Sequence, residues 1–176
     1  MNLINMHRIK ETSEQNLYWI LLILVGLSME AAGLYYQYVL DEWPCVLCIH
    51  IRIWILGFVV IAILAILLKR FKPVIPTLHI LNSLMMVGFV ERSWQTLAVE
   101  RGWVFGNCDM DAGLPRWFQL DQWFPALFEV KTSCGYTPLI IFNISMAEVL
   151  MVASALLLGL SLLLLVASIW PSRRLN

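Results

Sequence analysis

Cys45 and Cys48 form a Cys-x-x-Cys pair at the start of a long apolar run, and Arg52 follows four residues further on. Two thiols at this spacing can close a small disulfide, bind a metal or exchange electrons. A positive charge buried beside them would favour a thiolate. On a helix these three positions stand at offsets of zero, three and seven, so they share one face. At ~1.5 Å rise per residue, Arg52 lies about 10 Å below Cys45. If the run crosses a membrane, that depth is inside the hydrocarbon. A charge there costs at least ~2.5–3.5 kcal/mol and marks a functional site by default; the plain alternative is an arginine that snorkels outward. His50 points about 200° around the helix from Cys48 and reads as a surface or packing residue.

Two further cysteines, Cys108 and Cys134, make an even total of four. Two structural disulfides are the plain reading, and a four-cysteine zinc site is another. The zinc reading is the weaker, because Cys108 and Cys134 are far apart and carry no second Cys-x-x-Cys. A bond between Cys45 and Cys48 closes a very small loop, which makes it a poor staple and a plausible redox pair. A bond between Cys108 and Cys134 would close roughly 25 residues, for which the chain-entropy model gives more than ~3 kcal/mol. It would serve as a staple or, if exchangeable, as the target of a partner thiol.

The elements that must position these residues are apolar. The chain has 176 residues, 60% of them hydrophobic and 14% charged, with mean hydropathy +0.77. Soluble domains use roughly 45–50% apolar residues, so this is an all-α membrane protein forming a single domain over 1–176. The net charge of zero gives no electrostatic footprint for nucleic acid. Four runs suit helices of the ~20 residues that spanning requires: about 17–38, 45–68, 74–94 and 144–170. They leave a short loop at 39–44 and a long one at 95–143. A cleavable leader ending at Ala31-Ala32-Gly33 is the rival for the first run, but Glu30 beside that site and the apolar residues beyond it favour a span. Pro44 suits the first position of the second helix. Ala155 and Gly159, four apart, offer a place for close helix packing.

With four spans, both termini and the 69–73 turn share one side, which carries Arg8, Lys10, Lys69, Arg70, Lys72, Arg173 and Arg174. The other side carries Arg101, Arg116 and Lys131. Seven Lys and Arg against three, the three in a longer loop, place the termini in the cytoplasm. All four cysteines then face the outside, an oxidising compartment in a bacterium. Glu30 reaches a depth similar to that of Arg52 and is its expected partner, since pairing would lower the burial cost. In the long loop, residues 116–128 are aromatic with a few charges and suit a short helix on the membrane surface or, equally, a loop packed over the helix bundle.

Together these residues resemble the DsbB family, the bacterial inner-membrane disulfide bond formation proteins. The resemblance rests on Pro44-Cys45-Val46-Leu47-Cys48, on Arg52 and Glu30, on Gly106-Asn107-Cys108-Asp109, and on Leu120-Asp121-Gln122-Trp123-Phe124-Pro125 ahead of Cys134. It covers nearly the whole chain and implies a four-transmembrane-helix bundle with a long periplasmic loop. It also implies a thiol-disulfide oxidoreductase. A reduced periplasmic thioredoxin-fold partner of the DsbA type would attack a Cys108–Cys134 disulfide at Cys108. Cys134 would pass the electrons to Cys45–Cys48, and Cys48, helped by Arg52, would deliver them to a membrane quinone, ubiquinone or menaquinone, with no metal involved. DsbA-type partners are strong oxidants, about −120 mV in the type case, so the final acceptor must be more oxidising still. Some family members carry a histidine near the outer end of the third helix. Here that stretch reads Glu91-Arg92-Ser93-Trp94, and Arg92 reads as an interfacial arginine. Two alternatives stand beside this reading. One is a vitamin K epoxide reductase-like quinone reductase, whose Cys-x-x-Cys comes late in the chain. The other is a non-enzymatic membrane protein with two structural disulfides.

Overall fold

The computed structural model describes residues 16–71, 73–106, 111–140 and 143–169. Cys108, and among the charges used for orientation Arg8, Lys10, Lys72, Arg173 and Arg174, lie outside the described residues. Four long helices carry the chain: α1 (Asn16–Val39), α2 (Val46–Leu68), α3 (Val74–Glu100) and, after two short turns α4 (Leu120–Trp123) and α5 (Pro125–Phe128), α6 (Met146–Ile169). Each of the four is long and apolar enough to cross a membrane. Among the described residues there is no strand, only an isolated antiparallel bridge between Leu139 and Ser145. The expected all-helical membrane bundle is therefore the observed one.

The bundle is built in sequence order, α1 on α2, α2 on α3 and α3 on α6. Its core holds Trp19, Ile55, Phe58, Met86 and Phe89, all nearly or wholly buried. Large apolar side chains such as Leu24, Leu67, Leu84, Leu156 and Leu163 point outward. That inside-and-outside apolarity is what lipid as a solvent permits. Close approach occurs where side chains are missing. A Cβ on Gly26 would meet Val59 Cγ2 at 2.3 Å, and one on Gly88 would meet the Trp54 ring at 2.7 Å. Gly159, expected to serve this purpose, has nothing within 4 Å of such a Cβ and faces open space.

Three helix ends differ from expectation for local reasons. α2 begins two residues later than Pro44 predicts, because Cys45 is the cap, with φ −86° and ψ 171°. Its carbonyl accepts the first helical bond, from Ile49 N–H at 3.1 Å. α3 runs past Trp94 to Glu100, and there Gly102, at φ +71°, closes it. Trp103 N–H bonds to Ala98 O and Gly102 N–H to Val99 O, the paired pattern of a Schellman end. The aromatic segment forms two four-residue turns rather than one helix, because Phe124, at φ −134° and ψ 65°, leaves helical geometry and Pro125 starts a new turn. Its Trp117, Trp123 and Phe124 are exposed, whereas Phe128 is buried.

His79, Asn82 and Ser83, which make the third run the least apolar, are buried inside. Asn82 Nδ2 donates to Tyr18 Oη (3.1 Å) and to Ser161 Oγ (3.0 Å), and Ser83 and Ser161 share a bond of 2.9 Å. These bonds join α1, α3 and α6 at the end of the bundle away from the cysteines. At the cysteine end α1 and α6 instead line two sides of one cavity.

Candidate active site

Cys45 caps α2 without an oxygen to offer, so the first-turn N–H groups remain open to another acceptor. The Cys134 sulfur takes them, accepting from Val46 and Leu47, and its thiol is also hydrogen-bonded to Cys45. Cys45 Sγ lies 3.1 Å from Cys48 Sγ, with both residues as free thiols. Three of the four cysteines are thus brought into one succession, Cys134 to Cys45 to Cys48. The Cys45 thiol beside it, and then burial, hold the Cys134 thiol well above the ordinary thiol range. The hydrogen bond from Cys134 works to lower Cys45, but the bond to Cys48 and burial push its thiol up to about 12.

The segment carrying Cys134 is clasped to the turn before α2. Lys131 N–H donates to Pro44 O at 3.1 Å, and Lys131 Nζ sits 4.6 Å from the centre of the Trp43 ring. Tyr136 Oη donates to Glu42 at 3.5 Å. Beyond it, Glu100 accepts from Thr137 (2.6 Å) and Ser145 (3.0 Å), which fastens the segment to the end of α3. Gly106 closes the other side, where an added Cβ would lie 3.5 Å from Cys134 Cβ. Cys108, two residues further along, lies outside the described residues.

Arg52 is buried, and its fork is engaged. Nη1 donates to Gln37 Oε1 (2.7 Å) and to the Leu127 carbonyl (2.8 Å), and Nη2 to the Gly33 carbonyl (3.1 Å). Glu30, the expected partner, makes no direct ion pair or hydrogen bond with Arg52; the two are coupled through their charges across the cavity, and the three bonds leave two of the five guanidinium N–H groups free. Glu30 lines the same cavity, one turn deeper on α1 than Gly33, and its Oε1 is buried without a hydrogen-bond partner. That cavity, of about 370 Å³, has Cys45, Cys48, Arg52 and Glu30 among its walls, which come from α1, α2, α6 and the Cys134 segment. A buried cation and an orphaned carboxyl oxygen in a mostly apolar void, with Asp41, Glu42, Thr132 and Ser133 also among its walls, suit a flat ligand with polar oxygens at its edge.

Arg92 lies elsewhere. It bonds Gln95 (2.9 Å) and pairs with Glu91 (3.0 Å), and it lines a second cavity of about 390 Å³ on the other side of α2 with His50. His50 Nε2 sits 2.7 Å from the Ala112 carbonyl, in the packing role expected of it. Among the described residues no group of three or more His, Cys, Asp or Glu side chains is placed to hold a metal.

Gln37 is the site residue that sequence reasoning did not single out. Its signal was present: Glu30, Gly33 and Gln37 stand at offsets of zero, three and seven, the spacing that groups Cys45, Cys48 and Arg52.

Four membrane-length helices with three neighbouring cysteines at one end point to a membrane-embedded thiol-disulfide redox protein. The comparisons agree. The family model "Disulfide bond formation protein DsbB" matches residues 15–164. Proteins named "Disulfide bond formation protein B" are similar along the chain. The one from Photorhabdus laumondii is 32% identical over 66% of this chain and 69% of its own length. The one from Vibrio parahaemolyticus is 28% identical over 96% and 95%, and that from Shewanella frigidimarina 30% over 86% and 90%. The chain belongs to the DsbB family of disulfide bond formation proteins.

Proposed function

We propose that this chain reoxidises a periplasmic dithiol protein of the DsbA type and passes its electrons to a membrane quinone. The observation that carries the reading is the succession Cys134–Cys45–Cys48 ending at a cavity walled by Arg52. A partner thiolate attacks Cys108 of a Cys108–Cys134 disulfide, and the Cys134 sulfur leaves. Cys134 then attacks Cys45 of a Cys45–Cys48 disulfide and expels Cys48. The positive Arg52, whose field reaches the Cys48 sulfur, stabilises the negative charge left there. The partner's second thiol releases it from Cys108 as a disulfide, and Cys108 then attacks Cys134 to restore the first pair and free Cys45. Bound quinone supplies a two-electron, two-proton acceptor, after which Cys45 and Cys48 stand as a disulfide again.

Support for the acceptor comes from shape as well as charge. The cavity is walled by both α1 and α6, which do not pack closely on one another, and a gap between them would give a lipid-dissolved molecule a lateral way in. The free Arg52 N–H groups and the O–H of a protonated Glu30 would donate to its ring oxygens, and Ile51, Ile55 and Leu150 would face its apolar ring. In this reading the termini are cytoplasmic, the cysteines periplasmic and the membrane the bacterial inner one, as the Lys and Arg distribution favours.

The test is quinone reduction by the purified protein with a reduced DsbA-type partner. Wild type should turn over, and Cys48→Ser and Cys108→Ser should each lose at least about a hundredfold, as expected for residues that act as a unit. Absence of quinone reduction by wild type would sink the proposal. Undiminished turnover by Cys108→Ser would overturn the order of the relay.

A further inference from the structure

Gln37 is almost wholly buried, at 2% exposure, between α1 and the α5 turn. Its two amide atoms face different elements. Oε1 accepts from Arg52 Nη1 at 2.7 Å, and Nε2 donates to the Ala126 carbonyl at 3.3 Å. The same Arg52 nitrogen donates to the next carbonyl, Leu127, at 2.8 Å, and the Tyr38 hydroxyl also donates to Ala126. Two consecutive carbonyls of the loop are therefore held by α1 and by Arg52. Arg52 lines the cysteine cavity and Gln37 stands behind it.

The geometry points to Gln37 as a positioning residue with two duties: it aims the Arg52 guanidinium into the cavity wall, and it ties the loop between Cys108 and Cys134 to that wall. The inference rests on the proposal that the cavity takes quinone. An arginine on its flexible stem has many rotamers, and a fixed acceptor behind it selects one. An amide is needed because the guanidinium only donates and the loop carbonyl only accepts, so one side chain must offer both an oxygen and an N–H. Glutamate at 37 would keep the acceptor and lose the donor, whereas leucine would lose both.

The experiment uses the full-length protein in lipid nanodiscs, with a short-chain ubiquinone as acceptor and reduced dithiothreitol as donor. Chymotrypsin cleavage at the aromatic residues of 117–128 reads the tether. Gln37→Leu should raise the quinone KM about tenfold, the effect expected for a lost charge-assisted hydrogen bond, with kcat changed by about twofold at most. Its loop should be cleaved about tenfold faster through more frequent local opening. Gln37→Glu should return the KM to within about threefold of wild type, since its carboxylate still accepts from Arg52, yet its loop should be cleaved as fast as in the leucine variant. An unchanged KM in Gln37→Leu, or equal losses in KM and kcat in both variants, would overturn the positioning role. Wild-type loop cleavage in both variants would overturn the tether. If wild-type protein reduces no quinone, the acceptor proposal fails separately, and the cleavage comparison still decides the tether.

Discussion

At the scale of single residues, the arrangement turns on which sulfur lies against which neighbour. Cys134 sits at the first turn of α2, where two backbone N–H groups would favour its thiolate. The adjacent Cys45 thiol and burial outweigh them, so Cys134 stays protonated well above the ordinary thiol range. A raised thiol pKa means less thiolate at a given pH, and the thiolate is the species that alkylates. In the fully reduced protein, iodoacetamide should therefore modify Cys134 at pH 8 at least about tenfold more slowly than a free thiol of pKa ≈ 8.5. The rate should still be climbing at about pH 10. Site-resolved mass spectrometry reads it, and a plateau near pH 9 would show that Cys45 does not act on Cys134 in this way. Cys45→Ser removes the neighbouring thiol and should speed the reaction at Cys134.

At the scale of elements, helix packing depends on absent side chains and on buried polar ones. α1 meets α2 at Gly26, where a Cβ would stand 2.3 Å from Val59 and 2.8 Å from the Phe58 ring. Gly26→Ala should then destabilise by about 1–3 kcal/mol, the usual cost of overpacking. Gly159→Ala, with nothing within 4 Å of its Cβ, should leave the thermal midpoint of the detergent-solubilised protein unchanged or raise it slightly through its better helix propensity. Equal effects at the two positions would contradict this packing. The four spans were legible from composition because an apolar stretch of membrane length has few other uses. The small-residue pair at Ala155 and Gly159 misled because spacing reports a shared face and not what the face meets. His79, Asn82 and Ser83 make the third span the least apolar, yet Asn82 and Ser83 bond across to α1 and α6 and His79 packs on the Tyr18 and Trp19 rings, a partnership that one helix's sequence does not contain.

At the scale of the whole molecule, the bundle is tied at one end by the Tyr18–Asn82–Ser161 bonds and parted at the other around the cavity. Loop and helices meet there: the Cys134 segment is fastened to Trp43, Pro44 and Glu42, and the α5 turn to Gln37, Tyr38 and Arg52. The sequence made Cys45, Cys48 and Arg52 readable as one face, because helical spacing is local. It paired Arg52 with Glu30 by depth and charge; the fold keeps that pairing as a charge interaction across the cavity and adds three oxygen acceptors, one of them on a loop 75 residues away in sequence. Such a long-range carbonyl leaves no trace in composition or spacing. Whether Cys45 and Cys48 deliver electrons to quinone at this cavity is decided by a single turnover. Fully reduced protein is mixed anaerobically with one equivalent of ubiquinone, and quinol and disulfides are quantified. Stoichiometric quinol with a Cys45–Cys48 disulfide is expected in wild type and in the Cys108→Ser, Cys134→Ser double variant, and none in Cys48→Ser. Quinol formation that persists in Cys48→Ser, or that vanishes in the double variant, would contradict that delivery.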